Sequence, residues 1–118
     1  IITNSSDVLG TFYIKPNFPG RCDHICNGGF ITNTKYRGLG IGTIMGESYK
    51  VLAKELGYKA SLFNLVFVNN IASIKLWERL DFTELCVIPK AARLKGCEGL
   101  VDAKQIYYDF EEEEEEEV

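Results

Sequence analysis

Between a strand-like run and a strongly helical one, the chain reads Tyr36-Arg37-Gly38-Leu39-Gly40-Ile41-Gly42-Thr43, with glycine at three alternate positions. Side chains are missing just where a helix is about to begin, so the turn is largely bare backbone. Its N–H groups sit at the positive end of a helix dipole, and Lys35 and Arg37 stand beside them. Such a turn is an anion site, and phosphate is the occupant it fits best. On this turn alone an ordinary glycine-rich loop is as good a reading. A P-loop is excluded because no Gly-Lys-Ser/Thr follows, and a dinucleotide fingerprint fits badly because Gly46 falls one residue late.

The segments around the turn set the fold class. Residues Ile1 to Asp7 read as polar and turn-like. Val8 to Lys15 read as a strand closed by Pro16, Pro19 and Gly20, and Ile25 to Asn33 as a second strand of the same hairpin. Asn27-Gly28-Gly29 inside that second strand marks a bulge, or a place where a ligand or another backbone comes close. The spacing predicts a helix over Leu39 to Leu56, laying Ile41, Ile44, Met45, Val51, Leu52 and Leu56 on a sheet, with Gly57 as its stop. Leu62 to Val68 is apolar throughout except for Asn64, the pattern of a central parallel strand covered on both faces. Asn69-Asn70 cap a second helix over Ile71 to Leu80. Phe82 to Ile88 form a strand, Pro89 to Gly99 a polar loop and Val101 to Phe110 a last strand. The order β-β-α-β-α-β-β predicts an α/β fold with a sheet of mixed direction.

Composition narrows the partners. The 118 residues allow one small domain, and 46% hydrophobic residues with seven Phe argue for a packed core. Glu111 to Glu117 contribute seven negative charges; removing them from the net −4 leaves a body at +3. A slightly basic body suits a small anionic ligand, while the lack of a basic stripe argues against nucleic acid. Residues 111–118 read as an acidic, disordered tail. The four cysteines (Cys22, Cys26, Cys86, Cys97) have the spacing of no compact disulfide framework, so reduced thiols and a cytoplasmic location are expected. Cys22-Asp23-His24-Ile25-Cys26 lacks a second ligand pair, and alternate strand residues face opposite ways, so no metal is expected. No apolar run is long enough to span a membrane, and none reads as a targeting segment.

Two stretches carry a family resemblance. Arg37-x-x-Gly40-x-Gly42 at a helix start resembles the acetyl-CoA pyrophosphate motif of the GCN5-related N-acetyltransferases, the GNAT family. Asn70-Ile71-Ala72-Ser73-Ile74-Lys75-Leu76-Trp77-Glu78-Arg79-Leu80-Asp81-Phe82 resembles that family's second signature: Asn, a small residue three on, Leu-Tyr, then Gly-Phe. The motifs occur in the family's order, with an apolar strand between them, and the likeness runs from Val8 to Phe110. Within the family, Gly10-Thr11-Phe12-Tyr13-Ile14-Lys15-Pro16-Asn17, Gly20-Arg21-Cys22-Asp23-His24, Asn27-Gly28-Gly29-Phe30 and Phe63-Asn64-Leu65-Val66-Phe67-Val68 look like the fungal acetyltransferases of L-azetidine-2-carboxylate and other proline analogues. Two features depart from the pattern. No counterpart of the family's N-terminal strand and pair of helices precedes Val8, so residues 1–110 read as an N-terminally incomplete domain. Trp77 stands where many relatives place a general-acid tyrosine, and an indole N–H does not protonate a thiolate.

The resemblance implies acetyl transfer from acetyl-CoA to the amine of a small acceptor, an imino acid of the azetidine-2-carboxylate or proline type, with detoxification as the role. Stress protection is the other role it implies, and acetylation of a different amine is the runner-up within the class. The resemblance places the co-substrate on Arg37, Gly38, Leu39, Gly40, Ile41, Gly42 and Thr43, beside Phe30, Ile31 and Thr32, and against Asn70, Ser73 and Trp77. A backbone N–H near Phe30 would serve the developing oxyanion. Asn27 and Asn64 would hold the acceptor's carboxylate; read from the residues alone, core amides tying strands together is narrowly the better reading of the same pair, and the resemblance reverses it. No general base stands out among His24, Asp23, Tyr108 and Cys86. Relatives that pair through their C-terminal strands imply a homodimer. From a different class, a truncated acyl-CoA-binding or dimerisation module without catalysis fits the short start and Trp77.

Overall fold

The computed structural model describes residues 1–36 and 38–112, so Arg37 and the tail residues 113–118 lie outside the described part. The elements are β1 (Ile2–Thr3), β2 (Val8–Pro16), β3 (Ile25–Thr32), α1 (Ile41–Glu55), β4 (Ala60–Phe67), α2 (Ile71–Arg79), β5 (Thr83–Ala92) and β6 (Val101–Asp109). The six strands form one sheet in the order β1-β2-β3-β4-β6-β5. Only β3 and β4 run parallel, giving the mixed α/β sheet that the element order predicts.

Both helices lie on one face of this sheet. Phe30 and Phe63 each meet Tyr49 of α1, at ring distances of 5.2 and 5.5 Å, and Trp77 of α2, at 5.0 and 4.6 Å. Phe82 continues the cluster from Phe63 to Tyr108. Burying one such ring stabilises the fold by about 1.5–3 kcal/mol, so this cluster is the main cohesive element of the domain. On α1 the buried stripe is Ile41, Met45, Tyr49 and Ala53, whereas Ile44, Val51, Leu52 and Leu56 are exposed. The predicted sheet-facing set is thus right only at Ile41 and Met45. Two apolar stripes share the helical period, and close approach of the two helices selects between them. A Cβ at Gly46 would collide with Leu80 and lie 3.2 Å from Trp77, so this buried glycine is what lets α2 sit there.

Local chemistry sets the element ends. The helix begins at Ile41 rather than Leu39 because Gly38 and Gly40 occupy the left-handed region, at φ +83° and +76°. Gly57 closes it, donating its N–H to Lys54 O at 3.0 Å. Asn70 caps α2, its Oδ1 accepting from Ser73 N at 3.3 Å, as the sequence predicts. Past α2, Asp81 takes φ +68°, a conformation that Asp tolerates better than most residues. It is the position where the family pattern has glycine.

Four expectations need correction. Ile2–Thr3 pairs with β2, and only residues 4–7 turn, around Asn4 Oδ1. The loop predicted to start at Pro89 starts after Ala92, because β5 is an edge strand that accommodates a proline and shifts register between Ile88 and Ala92. Gly28-Gly29 form no bulge, since the β2–β3 register is unbroken from Gly10↔Thr32 to Pro16↔Cys26. Packing requires them: a Cβ would stand 2.7 Å from the Tyr49 ring at Gly28 and would collide with the Tyr13 ring at Gly29. Lastly, β4 is not covered on both faces, and Leu65 is exposed. Phe110, Glu111 and Glu112 are helical, and the N–H groups of Glu111 and Glu112 donate to Asp109 Oδ1, so the first two residues of the tail expected to be disordered hold a defined backbone.

Candidate active site

β3 and β4 pair only at Ile25↔Ala60 and Cys26↔Ser61, then separate. Beyond that point β4 follows β6 instead, with a register shift between Phe63 and Val66. The result is a wedge-shaped gap in the middle of the sheet. Its apex is a closed polar knot: Tyr49 Oη lies 3.1 Å from Cys26 Sγ and 2.7 Å from Ser61 Oγ, all three residues at 0% exposure. Burial, first among the causes, pushes both the Cys26 thiol and the Tyr49 phenol above their ordinary values of 9.0 and 10.0. Neither ionises near neutral pH, so the knot is a pivot rather than a reactive pair.

Along the gap, β3 offers an unpaired backbone edge. Asn33 N bonds Leu9 O and Asn17 N bonds Ile25 O, both at 2.8 Å, which makes the odd-numbered residues of β3 the ones that bond β2. The N–H and C=O groups of Gly28, Phe30 and Thr32 therefore face the gap. Gly28 N is taken by Asn27 Oδ1 at 2.8 Å, which leaves Phe30 and Thr32 as the open positions.

The gap holds a cavity of about 470 Å³ between Asn27, Gly28, Phe30 and Thr32 on one side and Phe63 to Phe67 on the other. Met45, Gly42, Asn70, Ser73, Leu76 and Trp77 complete it from the helices. It runs into a second depression of about 600 Å³, lined by Tyr36, Gly38, Gly40, Ile41, Gly42, Thr43, Ala72, Ser73 and Arg79 among others. Two helix N-termini meet there. The first intrahelical bonds are Ile44 N to Gly40 O and Ile74 N to Asn70 O, so the N–H groups of Ile41, Gly42, Thr43, Ile71 and Ala72 have no helical acceptor. Among the described residues nothing lies within 4 Å of where a Cβ would stand on Gly38 or Gly40, so a bulky anion has room to reach this backbone. The arrangement fits a long polyanionic group with an extended amide arm: phosphates at the two helix ends, and the arm along the edge of β3.

The sequence-predicted residues largely converge here. Phe30, Thr32, Gly38, Gly40, Ile41, Gly42, Thr43, Asn70, Ser73 and Trp77 line one depression or both. Ile31 and Leu39 do not: their side chains are 69% and 64% exposed, and Ile31 falls on the opposite sheet face from Phe30 by strand alternation. Arg37 is outside the described residues, and Lys35 turns to Asp7 at 3.6 Å. Trp77 is 5% exposed and packed among Phe30, Phe63 and Phe82, a wall residue with no proton to give a thiolate. His24, Asp23, Tyr108 and Cys86 line neither depression, and among the described residues the inner cavity carries no ionisable side chain.

Asn27 and Asn64 both line the inner cavity, joined by a residue the sequence does not flag. Asn17 exchanges two hydrogen bonds with Asn64, at 2.9 and 2.7 Å, and accepts one from Asn27 at 3.4 Å. Separated from Asn64 by 47 positions, Asn17 leaves no local signal of that contact. The four cysteines are free of one another, and no group of three or more His, Cys, Asp or Glu converges among the described residues. Among the described residues, no helix is long and apolar enough to cross a membrane.

A mixed sheet split between two parallel strands, with helix N-termini at the mouth of the split, is the framework of an acyl-CoA N-acyltransferase fold. The chain belongs to the Acetyltransferase (GNAT) family, whose sequence pattern matches residues 2–82. It is 54% identical to N-acetyltransferase aca1 of Schizosaccharomyces pombe over 105 residues, 89% of this chain and 50% of that protein. A GCN5-related N-acetyltransferase from Kribbella flavida superposes with a TM-score of 0.80 at 28% identity, over 86% of this chain and 60% of the other. The yncA protein of Salmonella typhimurium, solved with its cofactor acetyl-CoA, shares the fold with a TM-score of 0.81 at 17% identity, over 89% and 60% of the two chains. The chain thus spans about half the length of the curated relative and 60% of these two solved proteins.

Proposed function

We propose that this domain is an acetyl-CoA-dependent N-acetyltransferase acting on a small amine that carries a carboxylate, of the azetidine-2-carboxylate or proline-analogue kind. The observation that carries the reading is the open edge of β3, lying between two helix N-termini at one end and two cavity-facing amides at the other. Acetyl-CoA supplies the acetyl group as a thioester, and the chain's own residues bind, orient and shield. The N–H groups of residues 38–43 and of the first turn of α2 receive the phosphates. The edge of β3 pairs with the amides of the extended arm, and Phe30 N–H donates to the acyl oxygen as negative charge gathers there. Asn27 and Asn64 donate to the acceptor's carboxylate without the desolvation cost of burying a second charge. Phe63, Val66, Phe67 and Leu76 exclude water. The inner cavity carries no ionisable side chain among the described residues, so the acceptor amine gives its proton to solvent before it enters. Its nitrogen then bonds the acyl carbon as the C–S bond breaks, and the proton shed by the new amide passes through water to the departing thiolate.

Titration calorimetry with acetyl-CoA on the parent and on Gly40→Asp/Gly42→Asp tests the first half. The parent binds, and the double variant loses about a hundredfold or more, because two carboxylates then face the phosphates. An acceptor screen beginning with azetidine-2-carboxylate tests the second half. A parent that binds without turning over any amine would favour the alternative of a non-catalytic acyl-CoA-binding module. The packing of Trp77 at the family's tyrosine position is the observation on that side.

A further inference from the structure

We propose that Asn17, which does not line the cavity, fixes the polarity of the amide pair that does, so that Asn27 and Asn64 present N–H groups and the site selects a carboxylate. The proposal deepens the acceptor assignment above and rests on it. A side-chain amide is donor and acceptor at once, so it discriminates charge only when something holds it one way round.

Asn17 is placed to do that. It follows β2, and its backbone N–H to Ile25 O, at 2.8 Å, keeps the hairpin zipped one residue past the strand. From there its side chain reaches over β3 to β4. Its Oδ1 accepts from Asn64 Nδ2 at 2.7 Å and from Asn27 Nδ2 at 3.4 Å. Its Nδ2 donates to Asn64 Oδ1 at 2.9 Å and to Leu62 O at 3.5 Å. Asn27 Oδ1 is engaged by Gly28 N at 2.8 Å. The carbonyl of each cavity-lining amide is thus held by a protein donor. Each NH₂ spends one hydrogen on Asn17 and keeps one without a partner among the described residues. Two leftover N–H donors on neighbouring strands form a cradle for the two oxygens of a carboxylate. Asn17 is therefore a positioning residue that sets specificity through Asn27 and Asn64.

The test compares the parent, Asn17→Ala and Asn17→Leu in the full chain. Leucine keeps the approximate shape and adds no charge, but neither accepts from the two amides nor donates to Asn64 Oδ1. KM and kcat are measured for azetidine-2-carboxylate and for its neutral carboxamide. Nitrogen–proton spectra of the Asn27 and Asn64 side-chain amides, with and without the carboxylate acceptor, give a readout that needs no turnover. The parent is expected to prefer the carboxylate. Each variant is expected to lose about ten- to a hundredfold of that preference, the size of a charge-assisted hydrogen bond, through KM, with kcat and acetyl-CoA affinity within about twofold. A folded variant that keeps the preference would make Asn17 a mere strap between strands and overturn the proposal. A parent without any preference would overturn the acceptor assignment and this proposal with it, and it shows before any substitution is made. Should Asn17→Ala fail to fold, Asn17→Leu decides: parent-like amide shifts on adding acceptor would count against the proposal.

Discussion

At the apex of the gap, Cys26, Tyr49 and Ser61 are shut away from solvent and bonded to one another. At its mouth, Gly38 and Gly40 stand in open space, and five helix-terminal N–H groups lack helical acceptors. One end has every polar atom matched; the other holds its polar atoms in reserve. The difference shows where stability and binding are kept apart in this domain. The apex pins β3 to β4 so that they diverge from a fixed point, and the mouth stays unsatisfied so that an anion can complete it. Substitutions at the apex should therefore move stability first, and substitutions at the mouth should move affinity first.

Tyr49→Ala strikes the closed end hardest. It removes a fully buried ring that touches Phe12, Phe30 and Phe63 and leaves Cys26 and Ser61 without their shared partner. The expected loss is about 3–5 kcal/mol in denaturant unfolding, enough to unfold a marginal domain. Tyr49→Phe keeps the ring and removes only the hydroxyl, so the two buried partners lose their bonds at a cost of about 1–3 kcal/mol. Acetyl-CoA affinity of the folded fraction should be nearly unchanged. A large loss of affinity with unchanged stability would mean that apex and mouth are not separable.

Gly40→Ala probes the other end at a smaller scale. A Cβ at φ +76° meets no neighbour, so the cost is the left-handed backbone alone, about 1–2 kcal/mol. Any proportionally greater loss of acetyl-CoA affinity reports the turn's role in binding. Calorimetry and thermal melts on the same samples separate the two effects.

The mouth was the more legible end in the sequence, and the reason is physical. Alternate glycines and the Asn70 cap act through local backbone geometry, and local geometry is written in adjacent residues. The apex depends on contacts between distant segments. Nothing near Tyr49 distinguishes its stripe from that of Ile44, Val51 and Leu52; the choice is made by Gly46 meeting Leu80 and Trp77 from a later helix. The same holds for Gly28 and Gly29, which read as a bulge but answer to the rings of Tyr49 and Tyr13. Asn17 is the extreme case, its role fixed by a strand 47 residues away. Pro89 misled for the opposite reason: as a local strand-breaker it suggests a loop, while the free side of an edge strand leaves the missing N–H without consequence.

Rising pH separates the two ends by a smaller margin. Burial raises the thiol of Cys26 and the phenol of Tyr49 in the folded state, while the unfolded chain releases those protons near 9.0 and 10.0. Between the unfolded and the folded values the folded state holds more protons, so unfolding becomes easier as pH rises. The stability contributed by the neutral knot is thus intact below about pH 9 and declines above it, by at most about 1.4 kcal/mol per pH unit for each group. Other tyrosines and lysines titrate in the same range, so the informative quantity is a difference. Cys26→Ser puts a hydroxyl that does not titrate in place of the thiol. Its urea-unfolding free energy should fall less steeply than the parent's between pH 9 and 10, by about 1 kcal/mol at most. Gly40→Ala, at the mouth, should fall in parallel with the parent. Equal slopes for the parent and Cys26→Ser would mean that the thiol is not held neutral by its burial, and the apex would lose its claim to be the closed end of the gap.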